Sequence, residues 1–66
     1  MKNPDKLWYD IVTRFEDKDT RAARFLHWEG ACAALRKELT ESKSDYGIER
    51  LAQALTHAIQ RREEFR

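Results

Sequence analysis

From about Thr20 to Leu39 the chain reads as one helix with apolar side chains on two nearly opposite faces, and any fold must accommodate both. At ~1.5 Å per residue this helix is roughly 30 Å long. Phe25, Trp28, Cys32, Leu35 and Leu39 succeed one another at spacings of 3, 4, 3 and 4, the seam of helix-on-helix packing. With residues ~100° apart around the axis, Ala22, Ala23, Leu26, Gly30, Ala33 and Ala34 fall roughly 160° from that seam. This second set is small. A glycine inside a helix costs about 0.5 to 1 kcal/mol relative to alanine, so Gly30 marks either a break after Glu29 or a place where another backbone comes close. The small neighbours, and the absence of Pro or Asn beside it, favour close approach.

The flanking segments are one-sided. Asn3 suits a helix cap, Pro4 the first helical position and Asp5 the positive end of the helix dipole, which predicts a first helix over 4–17. Leu7, Trp8, Ile11, Val12 and Phe15 form its stripe, and Asp10 and Arg14 are spaced for an i, i+4 ion pair. Asp17-Lys18-Asp19 interrupts the pattern, and Asp19 or Thr20 can cap the central helix over 20–39. Thr40 to Asp45 has loop composition. The third helix can start at Ser44 or Asp45, but a cap at Gly47 would pair Tyr46 with Leu51 as a hydrophobic staple, so 47–65 is predicted. Ile48, Leu51, Ala52, Leu55, Ala58 and Ile59 then share its apolar face. The fold class is therefore all-α, a three-helix arrangement with a long central helix in a single domain, 1–66.

At 66 residues the chain is short for a self-sufficient core, since domains of this size gain more than roughly 3 to 5 kcal/mol only with staples, oligomerisation or very regular packing. The single cysteine excludes an internal disulfide, and no Cys or His cluster suits a structural zinc. Charged residues make up 38% of the chain, yet the formal net charge is +1, so the two signs are interspersed as on a solvated helical surface. No apolar run approaches the ~18 residues of a membrane span, and no basic start precedes an apolar stretch as in a secretory signal. A cytoplasmic location is expected.

Catalytic and ligand chemistry finds little to work with. Cys32 sits mid-helix between Trp28 and Leu35, with no His or helix N-terminus within a turn to lower its thiol pKa, and reads as a small buried hydrophobe. His27 and His57 lie on different helices without a second ligand at i±3 or i±4. His27 borders the small-residue face, where its protonation would bear on assembly. Asp17-Lys18-Asp19-Thr20-Arg21 resembles the start of a calcium loop but fails at three of the five required positions. The carboxylate pairs Glu16-Asp17 and Glu63-Glu64 diverge on a helix, and the two glycines are isolated, so neither an acid–base pair nor a phosphate loop emerges. No cofactor or metal is expected, and no nucleophile, base and orienting group assemble into an enzyme.

What remains is binding. One-sided outer helices both fit the large-residue seam, which leaves the Ala/Gly face for a second copy, the self-complementary arrangement of a two-fold dimer. The sequence thus points to a small interaction or regulatory protein, of the size and makeup found among accessory proteins of bacteria and their phages, that binds another macromolecule as a homodimer. Its interface would comprise Ala22, Ala23, Leu26, Gly30, Ala33 and Ala34. The alternative is a dimeric DNA-binding regulator of helix-turn-helix type, with Arg21 and Arg24 at the start of a reading helix and Arg50, His57 and Arg61 on a second surface. Interspersed acids dilute the clustered positive charge that phosphate contacts require. Tyr9, off the first helix's stripe, is a further candidate contact for a protein partner.

Overall fold

The computed structural model describes residues 3–66. Its three helices are α1 (Pro4–Phe15), α2 (Arg21–Glu41) and α3 (Asp45–Glu64), and no strand occurs among the described residues. They run up, down and up. Asp5 at the start of α1 meets Tyr46 and Arg50 near the start of α3, and Phe15 at the end of α1 meets Phe65 just beyond α3. The antiparallel pair α2–α3 is the main packing unit, with α1 laid along both, in a body measuring 36 × 18 × 14 Å.

Each helix starts where a side chain satisfies an otherwise orphaned backbone donor. Asn3 Oδ1 accepts from the Asp5 N–H at 2.8 Å, Thr20 Oγ1 from Ala23 at 3.1 Å and Ser44 Oγ from Gly47 at 3.3 Å. The third cap corrects the expected start at Gly47: α3 begins at Asp45 with Ser44 as its cap. A serine hydroxyl fills the capping role better than a glycine, and Asp45 gains from the helix dipole in the first turn. Gly47 is instead buried where the α2–α3 turn closes, and a Cβ there would lie 2.7 Å from Ser42 Oγ. Tyr46 forms no staple; it is 60% exposed and its hydroxyl donates to Asp5 Oδ2 at 3.2 Å. At the other boundaries α1 stops at Phe15, two residues early, and α2 runs on to Glu41. Gly30 does not interrupt α2.

The core is the large-residue seam of α2 pressed between the other two helices. Trp28, Cys32 and Leu35 are buried, as is Ala31 one position to the side, and they pack with Ile11 of α1 and Leu51 and Ala58 of α3. Phe25 and Leu39, at the ends of the seam, are half-buried. On α3 the buried face is turned slightly from the one expected: Ala54 packs against the core, while Ile48 is 41% exposed and Ala52 faces solvent. α1 is seated shallowly, with only Ile11 buried and Val12 exposed. Asp10 and Arg14 do not pair with each other; both line the groove between α1 and α2.

Leu35 has no solvent exposure. Truncating such a leucine costs about 2 to 5 kcal/mol, comparable with the roughly 3 to 5 kcal/mol that a core of this size supplies. Leu35→Ala is therefore expected to abolish the cooperative thermal transition in circular dichroism. Ser44→Ala is expected to lower stability by about 1 kcal/mol through loss of the cap.

Candidate interaction surface

α2 supplies the surface, because α1 and α3 together cover only part of its circumference. Ala22, Leu26, Gly30, Ala33 and Ala34 are exposed and Ala23 is half-buried. Leu26 is 65% exposed, and a Cβ on Gly30 would meet nothing within 4 Å. The intramolecular packing thus gives no reason for a glycine at 30, while the helix bears its cost in propensity.

The same face runs into a groove of about 660 Å³ between α1 and α2, floored by Leu7, Ile11, Ala23, Ala31 and Ala34. Asp10, Arg14 and Lys18 form its polar rim. The groove is bridged at one point. His27 Nε2 lies 2.9 Å from the Ile11 carbonyl oxygen, which can only accept, so Nε2 carries the proton and donates. Burial holds the imidazole pKa below its ordinary value against the opposing effect of this hydrogen bond, and the charges of Lys18 and Arg14 push in the same direction as burial. A second depression, of about 550 Å³, lies at the α2–α3 turn and includes Pro4, Glu38, Glu41, Tyr46 and Leu51. Its acidic walls and turn location set it apart from the α2 face.

The candidate nucleic-acid contacts are not gathered on one surface, and the arginines among them hold intramolecular partners. Arg21 donates to the Arg66 carbonyl at 2.7 Å and Arg24 Nε to the Lys18 carbonyl at 3.0 Å. Arg50 places Nε and Nη2 on Asp5 Oδ1 at 3.1 and 2.7 Å, which raises the guanidinium pKa and lowers that of Asp5. Arg61 pairs with Glu64 and lies over the rings of Phe15, Trp28 and Phe65, 5.7, 5.8 and 5.5 Å from their centroids. His57 is exposed and stands edge-on to Trp8. Tyr9, 69% exposed, lies apart from both sets on α1.

Sequence reasoning missed three contacts: the His27 hydrogen bond to α1, the Asp5–Tyr46–Arg50 cluster, and Phe65 closing the aromatic group around Arg61. Each joins residues from different helices, so no local pattern announces it; the unused Phe65 after α3 is the nearest thing to a signal. Cys32 is buried, and its burial pushes the thiol pKa up against the opposing charges of Arg62 and Arg36. No three His, Cys, Asp or Glu side chains gather to hold a metal among the described residues, and no described helix is long and apolar enough to cross a membrane. Comparison with protein-family models, curated proteins and solved structures yields no match.

The depressed pKa of His27 gives a pH dependence with a defined sign. Below the ordinary histidine value of about 6.5 the unfolded chain takes up a proton that the folded imidazole resists, so stability present above that pH is lost as pH falls toward the folded-state value. Urea midpoints at pH 7.5 and 5.5 are expected to differ more for wild type than for His27→Gln, which retains a donor and does not titrate. Equal differences in the two proteins would refute the assignment.

Proposed function

We propose that the protein is a non-enzymatic interaction or regulatory protein that acts by binding another macromolecule, and that it works as a homodimer joined across α2. The observation that carries this reading is the uncovered face of α2. It is a contiguous set of small apolar positions around Gly30, capped by an exposed leucine, in a chain whose other large aliphatic side chains mostly turn inward. Such a face fits close helix-to-helix approach, and covering it would supply the apolar burial that a domain of this size lacks. A cytoplasmic accessory protein, of the kind encoded by bacteria and phages, belongs to the same reading.

A dimeric helix-turn-helix DNA-binding regulator is less well supported. Arg21, Arg24 and Arg61 hold together the end of the bundle where a reading helix would have to begin, and phosphate contacts would compete with those bonds. Nor does a single face collect Arg50 and His57 with them, as the electrostatic footprint of a nucleic-acid binder requires.

Sedimentation equilibrium is expected to report a dimer at micromolar concentration. Ala33→Arg should yield a folded monomer, since the added side chain lies on solvent in the isolated chain. A wild-type monomer indifferent to that substitution would overturn the homodimer. In gel shifts with random duplex at low salt, no retardation is expected; weak, salt-sensitive retardation would favour the DNA-binding alternative.

A further inference from the structure

We infer that α1 is a strap that detaches from the α2–α3 pair on mild acidification, with His27 as the catch that holds it closed at neutral pH. α1 has the weakest hold of the three helices. Of the seven residues in the buried core it supplies one, Ile11, while the other six lie on α2 and α3; Leu7, Trp8 and Phe15 are only half-buried. Elements with few buried apolar contacts are the ones that open locally before a domain unfolds as a whole. Released, α1 would not persist as a helix, because its twelve residues sit at the edge of the ~12 to 15 below which isolated helices are marginal in water. Opening is therefore a helix-to-coil step, and it uncovers Trp28, from which the rings of Trp8 and Phe15 withdraw. The Asp5–Arg50 pair at the far end of α1 is exposed on both sides and adds little hold.

At the catch, charge decides. His27 reaches across the groove to donate Nε2–H to the Ile11 carbonyl at 2.9 Å, and its ring packs against Phe15 of α1. In the neutral imidazole that bond uses the single N–H. Protonation adds a second N–H, on Nδ1, for which no described residue provides an acceptor, and it places a full charge on a half-buried ring. The surroundings are cationic. α1 lines the groove with Asp10 and Arg14, the α1–α2 turn adds Lys18, and Arg24, one turn back on α2, binds the Lys18 carbonyl. From α3, Arg61 lies over Phe15 and Trp28, the two rings that flank the imidazole. Asp10 is the one carboxylate among these groups; Glu16, Asp17, Asp19 and Glu29 are exposed and outside the groove. Burial, reinforced by Lys18 and Arg14, keeps the folded imidazole below its ordinary pKa against the opposing effect of the Ile11 hydrogen bond. When α1 leaves, the Ile11 carbonyl, Phe15 and Arg14 leave with it, and His27 takes up a proton at the ordinary value of about 6.5. Opening and protonation are linked, so the open form gains as pH falls through that value.

Native-state hydrogen exchange of the full chain, read by NMR as protection factors across a urea series at pH 7.5 and 5.5, tests strap and catch separately. Amides of α1 are expected to exchange through an opening with a lower free energy and a smaller urea dependence than those of Leu51 and Ala58 in α3, whose exchange requires global unfolding. On going to pH 5.5 the α1 protection factors are expected to fall severalfold in wild type and to hold in His27→Gln, which keeps a donor for Ile11 and does not titrate. His57, edge-on to Trp8, is present in both proteins and cancels from the comparison. Equal free energy and urea dependence for α1 and α3 would overturn the strap, and an equal fall in wild type and His27→Gln would overturn the catch. The double variant Arg14→Gln, Lys18→Gln gives a second reading with the His27 bond left in place. Its fall in α1 protection should be smaller than that of wild type, and an unchanged fall would overturn the cationic surroundings as the cause.

Discussion

Trp28 is the side chain on which the three helices converge. Trp8 and Phe15 of α1 pack against its ring with centroids 5.8 and 5.1 Å away, His27 meets it edge-on, and the Arg61 guanidinium of α3 lies over it. Aromatic contacts of this kind add about 0.5 to 1.5 kcal/mol each beyond the area they bury. The ring is 2% exposed, and its indole N–H is buried without an acceptor, a penalty of roughly 1 to 3 kcal/mol that the packing around it has to outweigh. With Trp28 in place, Cys32 and Leu35 follow one and two turns along the same side of α2, and α3 closes over them.

That convergence has a consequence for the other side of α2. The same helix cannot turn its small-residue face toward either neighbour while the large-residue seam is buried, because the two faces are nearly opposite. The bulky side chains win, since burial is worth about 25 cal/mol per Å² of apolar surface and alanine and glycine have little to bury. α1 reinforces the outcome by sitting shallowly. It touches the core through Ile11, Trp8 and Phe15, is tied to α2 by the His27 bond, and leaves the groove beside Gly30 open. The proposed binding face is thus the remainder of α2 once the chain's own core has been satisfied.

Electrostatics plays a local, structural part. The charged side chains that cross between elements sit at the ends of the bundle: Asp5 with Arg50 at one end, Arg21 and Arg24 with backbone carbonyls and Arg61 with aromatic rings at the other. The arginine–carbonyl contacts tie down the α1–α2 turn, which has little apolar surface of its own, and the last residue after α3.

The helical class, the number of helices, the Asn3 cap, a cap at Asp19 or Thr20 and the seam Phe25, Trp28, Cys32, Leu35, Leu39 were legible from the sequence, because each depends on residues within a few positions of one another along a helix. The exposure of the Ala/Gly face was legible too, as the complement of that seam. The start of α3 was harder, since Ser44, Asp45 and Gly47 are all competent boundary residues. Only the packed α2–α3 turn, where a Cβ at 47 would crowd Ser42 Oγ, shows that this glycine sits at a close approach and is not the cap. The tertiary structure alone decided that α1 sits shallowly, that His27 bridges it to α2, and that Arg21, Arg24, Arg50 and Arg61 have internal partners. Those are contacts between residues up to 45 positions apart, and periodicity carries no information about them. Of the central helix and its two apolar faces, the sequence alone established that both exist, and three-dimensional packing decided which one the chain keeps for itself.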